Sequence, residues 1–193
     1  MPSLAPLADL RPWLDHWTGK RLVVWGDVVS DCFLLGSTTR VSREAPALVL
    51  RYDGEESRPG GAGNAALNAA TLGGAVRMVG FVADDDARRA LTASFLGAGV
   101  ETSGIVLRSD GRTPVKTRVM AGGAHTVRQQ ILRSDNDRPW PAGGSETELE
   151  AARLKALSDA DGLLISDYGL GTVSADVWER IRGRVAELGI PVT

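Results

Sequence analysis

From Pro59 to Gly74 the chain reads Pro-Gly-Gly-Ala-Gly-Asn-Ala-Ala-Leu-Asn-Ala-Ala-Thr-Leu-Gly-Gly, a glycine-dense turn running straight into a helix of small residues. Gly60, Gly61 and Gly63 permit backbone angles and close approaches that a Cβ blocks. The first amides of the helix that follows are donors without intrahelical partners. Asn64 adds a side chain that both donates and accepts. Gly60, Gly61 and Asn64 are therefore expected to hold a polar, hydroxyl-rich small molecule against the main chain.

The surrounding pattern says what kind of sheet carries that turn. Arg21 to Trp25 reads as a buried strand whose end delivers Gly26, Asp27 and, one loop further, Asp31. Open α/β sheets place their ligand-binding side chains at such strand ends. A helix over Ala62–Leu72, a strand over Val76–Val82, a helix over Asp85–Leu96 and a strand over Gly104–Leu107 follow in alternation. Ser145 with Glu148 forms a capping-box start for a helix to Leu157, and Leu163–Ser166 is the next buried strand, with Asp167 directly at its carboxyl end. Ser174 opens a last helix with Val177, Ile181, Val185 and Leu188 facing inward, stopped by Gly189. This rhythm predicts an α/β fold with a parallel central sheet. A short amphipathic helix over Leu7–Trp17 precedes it, and Ile190–Thr193 starts a further strand, so the sheet is expected to be incomplete at the C-terminus.

Two insertions interrupt the alternation, at residues 36–58 and 111–135. Ala47–Tyr52 has strand composition, and Thr113–Met120 and Thr126–Leu132 are strand-like runs about an Ala121-Gly122-Gly123-Ala124 hairpin turn. Together they predict a small β-sheet outside the main one. Lys116, Gln130 and Arg133 lie on its strands, where cations can meet a substrate phosphate; the plainer reading is protection of exposed strands.

A formal net charge of −2 gives nucleic-acid binding no electrostatic support. Cys32 is the single cysteine, which excludes an intrachain disulfide, and no apolar run reaches membrane-spanning length, so a reducing cytoplasm is the expected location. Asp84, Asp85 and Asp86 precede a helix and read as its cap rather than a metal site. Gly61, Gly63 and Ala66 satisfy a dinucleotide fingerprint, but the charged stretch Gly54–Pro59 before them is not the buried strand that fingerprint requires.

Gly26-Asp27 with Asp31, the Gly60-Gly61-Ala62-Gly63-Asn64 run, and Ala66 with Gly73 resemble the first signature of the ribokinase-like (PfkB) sugar kinases. Within that family, Arg40-Val-Ser-Arg-Glu-Ala-Pro46, Gln129-Gln-Ile-Leu-Arg-Ser-Asp135 and Ser166-Asp-Tyr-Gly-Leu-Gly171 look most like the bacterial heptose-7-phosphate kinases of ADP-heptose synthesis. Ala83 stands where the signature carries glycine, and Leu170 where the heptose kinases carry lysine. The resemblance implies a three-layer ribokinase-like fold and ATP- and Mg²⁺-dependent phosphorylation of a sugar or sugar phosphate. It also implies a β lid over the sugar that clasps a second subunit. Asp31, Gly60, Gly61, Asn64, Lys116, Gln130, Arg133 and Asp167 are the implied substrate contacts. The family's Gly-Ala-Gly-Asp motif, which supplies the anion hole and the catalytic base, does not occur in these 193 residues. Residues 1–193 are thus expected to form the N-terminal, sugar-binding portion of such a kinase, lacking most of the nucleotide site and inactive alone. The alternative is a degenerate homologue acting as a sugar-binding or oligomerisation module.

Overall fold

A computed structural model describes residues 11–123, 126–143 and 145–193. In chain order its elements begin with α1 (Arg11–Trp17), β1 (Arg21–Gly26), β2 (Val28–Val41), β3 (Leu48–Gly61), α2 (Ala62–Thr71) and β4 (Ala75–Ala83). They continue with α3 (Asp86–Gly97), β5 (Glu101–Arg108), β6 (Val115–Gly122), β7 (Gln129–Asn136), α4 (Glu146–Leu157), β8 (Gly162–Ser166) and α5 (Ala175–Glu187).

The run Leu22-Val-Val-Trp25 is apolar on both faces because β1 is an interior strand of a parallel sheet ordered β5-β4-β1-β8. Val23 and Trp25 point to one side, where they pack with Phe81, Leu149, Leu157, Ile181 and Val185 under α4 and α5. Leu22 and Val24 point to the other, among Met78, Ala62, Ala66, Leu91 and Phe95 under α2 and α3. Helices on both faces make a three-layer α/β architecture around a parallel sheet, as the alternation predicts. Alanines at positions 62, 66 and 69 let α2 lie close on the sheet, and Asp85 caps α3 by accepting from the Arg88 amide at 3.0 Å. The capping box at Ser145 does not form; its side chain makes no cap bond, and Glu146 accepts from the Gly143 amide instead, at 3.2 Å. After α5, Val192 bridges to Leu163 in parallel, on the outer side of β8.

A second sheet, ordered β3-β2-β6-β7, grows out of the end of β1. Only Asp27 separates β1 from β2, so Val28, Val29 and Ser30 remain buried at the junction. Its strands exceed the expected bounds: β2 starts eight residues before position 36, placing Asp31 on a strand rather than in a loop, and β3 runs on through Pro59 and Gly60. Those two residues read as the start of a turn, yet β3 is an edge strand, where the missing N–H of Pro59 leaves no ladder bond unmade. The hairpin strands β6 and β7 lie two to four residues later than expected, at 115–122 and 129–136. Of the residues read as an opening helix and a hairpin turn, Leu7, Leu10 and Ala124 fall outside the described residues.

Candidate functional site

The first carboxylate after β1 is not free to bind anything. Asp27 is 1% exposed, and its carboxylate accepts from the amides of Tyr168 (2.8 Å), Leu170 (3.1 Å) and Thr172 (3.1 Å). Its own carbonyl accepts from the Ala62 amide at 3.0 Å, at the start of α2. A buried carboxylate demands such donors, and here the demand fastens three pieces together: the end of β1, the first turn of α2 and the 167–172 loop.

Asp31, four residues on, has a different environment. Its Oδ1 accepts from Arg118 Nη1 at 2.6 Å, with both side chains about one quarter exposed. Gly60 lies against it so closely that a Cβ there would stand 2.6 Å from Asp31 Oδ2. Gly61 takes φ 54°, the left-handed region, and a Cβ on it would meet the Asp27 carbonyl at 2.6 Å and the Tyr168 ring at 3.5 Å. Both glycines are therefore required by contact, and Gly61 by conformation as well.

Strand register gathers the next residues. Arg58, Asp31, Lys116 and Asp135 are opposite one another across the four strands of the second sheet, and Glu56, Phe33, Arg118 and Arg133 form the following row on the same face. The guanidiniums of Arg58 and Arg118 each lie 5.5 Å from the Phe33 ring centroid. Lys116 Nζ sits 5.3 Å from the Tyr168 ring and 3.8 Å from Asp137. Asp31, Gly60, Gly61, Lys116 and Tyr168 thus surround the junction between the two sheets, at the carboxyl ends of the parallel strands.

The other sequence-predicted residues are less tightly gathered. Arg133 shares the face but gives two 2.8 Å bonds to Asp135, which hold that carboxyl below the usual carboxylate range. Gln130 is exposed and pairs with Met120 beyond a bulge, in the row of Leu35; at the usual strand rise that is roughly 13 Å from the row of Asp31. Asn64 is exposed on the first turn of α2, where its Oδ1 accepts from Asn68 Nδ2 at 3.3 Å. Asp167 is exposed and accepts from the Gly169 amide at 2.8 Å, a local turn within the loop that Asp27 holds. Arg118 is the partner that the sequence reading missed; lying two residues after Lys116 on one strand, it could have been found from alternation alone.

Among the described residues no group of three or more His, Cys, Asp or Glu side chains gathers as a metal site, and no helix is long and apolar enough to cross a membrane.

A chain with this junction has known counterparts. The bifunctional protein HldE of Gluconobacter oxydans is 38% identical over 181 residues, covering 93% of this chain and 37% of its own length. The chain thus spans little more than a third of that relative. Among solved structures, a carbohydrate kinase from Agrobacterium tumefaciens matches with a TM-score of 0.61 at 19% identity, covering 90% of this chain and 52% of that one. The Arabidopsis thaliana ribokinase complexed with ribose and ATP matches with a TM-score of 0.59 at 18% identity, covering 91% and 53%. At these identities the structural matches establish the shared ribokinase-like fold. The family profile described as pfkB family carbohydrate kinase matches residues 20–168, most of the described core and the whole junction. The chain belongs to the pfkB family of carbohydrate kinases.

Proposed function

We propose that this chain is the sugar-binding part of a kinase that transfers the ATP γ-phosphoryl group to a sugar phosphate, with heptose 7-phosphate as the substrate. One observation carries the reading: Asp31, an acceptor-only carboxylate, packs directly on the Gly60 backbone, with no side chain between it and the start of α2. Sugar hydroxyls would donate to Asp31 and accept from Arg118 and from the first-turn amides of α2 that follow Ala62, whose own amide the Asp27 carbonyl already holds. Positioning of this kind converts a bimolecular encounter into an oriented one, which is most of what phosphoryl transfer asks of a protein. In the transfer the sugar hydroxyl oxygen bonds to the γ-phosphorus, ADP leaves, and the hydroxyl proton passes to a base. The 193 residues contain no Gly-Ala-Gly-Asp, so on this reading they position the sugar and do not supply that base. ATP and Mg²⁺ come from the family; among the described residues no group of three or more His, Cys, Asp or Glu side chains is arranged to hold a metal, and no residue here is assigned to the ion.

Asn64 and Asp167 would close the two ends of the sugar, and Lys116 its outer side. The second sheet is then the lid. Its exposed Val41, Leu48, Tyr52 and Leu132 suit a face that meets a second copy of the chain. The HldE likeness at 38% identity is what favours heptose 7-phosphate over an unphosphorylated pentose.

Calorimetry of the 193-residue protein tests this. Heptose 7-phosphate is expected to bind in preference to ribose, with negligible ATP turnover. Asp31→Ala and Gly60→Ala should each weaken binding roughly tenfold or more, the first by deleting a charge-assisted acceptor and the second by pushing that acceptor aside. Binding that both variants retain in full would place the sugar elsewhere.

A further inference from the structure

Lys116 and Arg133, the cations that sequence reasoning offers to a phosphate, are already answered by Asp137 and Asp135. Arg112 and Arg138 are not: both are exposed, and no carboxylate lies within ion-pair distance of either among the described residues. They line one cavity of about 510 Å³ at the carboxyl end of β5, together with Asp110, Gly111, Asn136 and Trp140.

The acid in that lining does not cancel them. Asp110 accepts from Nε and Nη2 of Arg108, which hold its carboxyl below the usual range. Arg108 itself is 4% exposed, lying between the Phe81 ring at 4.9 Å and the Trp140 ring at 5.4 Å. With Asp110 and Arg108 neutralising each other, the cavity carries two uncompensated guanidiniums and the Asn136 amide. Trp140 makes its wall, packed so closely on Gly111 that a Cβ there would come 2.6 Å from the ring. Asp137 reaches Lys116, whereas its neighbours Asn136 and Arg138 line the cavity, so segment 136–140 stands between this cavity and the sheet junction.

We propose that the cavity is a second anion site that takes a phosphate dianion, free or as a monoester, on Arg112 and Arg138. Two forked guanidiniums match the charge and the oxygens of a phosphate, and filling the site breaks no existing ion pair. The site is separate from the sugar junction and does not depend on the sugar-kinase reading.

Titration of the isotopically labelled protein with inorganic phosphate, and separately with glycerol 3-phosphate, is the test. Expected are saturable amide shifts at Gly111, Arg112, Asn136 and Arg138. Arg112→Gln and Arg138→Gln should each weaken them roughly tenfold, and the double variant should abolish them. Arg133→Gln should leave them intact. Tighter binding of the monoester assigns the site to an organic phosphate, and equal affinity assigns it to free phosphate. Absence of saturable shifts, shifts that survive the double variant, or equal loss in Arg133→Gln would overturn the proposal. Both arginines are exposed, so these variants are expected to fold, which circular dichroism checks.

Discussion

The substitution Asp27→Asn isolates what the buried carboxylate does, because it keeps the shape and removes only the charge and one acceptor. The amide oxygen of the variant side chain can still face the amides of Tyr168 and Leu170, which share Oδ2 in the native chain. Its nitrogen then faces the Thr172 N–H, donor against donor, across what was a 3.1 Å bond. One charge-assisted bond is lost, and one N–H is left unpaired at a site that is 1% exposed; together these cost roughly 3–6 kcal/mol. That is a large share of the stability of a typical domain, about 5–15 kcal/mol. With a urea m-value of about 2 kcal/mol per molar, the unfolding midpoint should fall by roughly 1.5–3 M. Amide exchange gives the local readout: Tyr168, Leu170 and Thr172 should lose protection before the β1 and β4 amides do. A midpoint shift under about 0.5 M with those three amides still protected would refute the idea that Asp27 pins the loop.

Arg153 is buried with Nε and Nη1 unpartnered, its guanidinium 4.4 Å from the Trp25 ring, and burial pushes it down to about 10. A cation whose folded value is depressed destabilises the folded state below that value. Arg153→Met should therefore raise Tm at pH 7 by roughly 2–4 °C, and a fall in Tm would mean that the guanidinium has a stabilising partner. At the opposite end of the sheet, hydrogen bonds from Arg77 and Arg21 hold the carboxyls of Asp159 and Asp161 below the usual carboxylate range. Carboxyls depressed on folding stabilise the protein above their ordinary value near about 4, and lose that contribution as pH falls through the lower folded values. Melting from pH 7 to pH 2 should show an acid slope that becomes shallower in Arg21→Gln and Arg77→Gln; identical slopes would contradict the assignment.

The parallel core is legible in the sequence because its strands are apolar on both faces and its helices carry their own signals. Leu22 to Trp25 could hardly be placed anywhere but between two layers of helix. Strands of the second sheet are exposed along much of their length, as in β7, so burial leaves no mark on their composition and their ends could not be read. Pro59 and Gly60 even argued against a strand, since nothing in the sequence tells an edge strand from an interior one. The same limit applies to the two acids after β1. Asp27 and Asp31 look equivalent as letters, and only the return of residues 167–172, some 140 positions later, converts one into an internal fastener, while the other packs on Gly60 and pairs with Arg118.

That division of labour bears on how the junction can recognise a ligand. On the face shared by Asp31, Arg58, Lys116, Arg118, Arg133 and Asp135, all six residues already meet an opposite charge, Lys116 through Asp137 just beyond the sheet and Arg58 through Glu56. A neutral, hydroxyl-rich molecule can enter such a lattice by sharing its hydrogen bonds, since each hydroxyl both donates and accepts and no ion pair need be broken. A bare anion must instead break a pair, and leaving a partly buried carboxylate unpaired is costly. The arrangement therefore suits the polyol part of a substrate better than its phosphate. A phosphorylated sugar bound here should keep its phosphate toward the rim, where water still screens the exposed end of the Arg133–Asp135 pair.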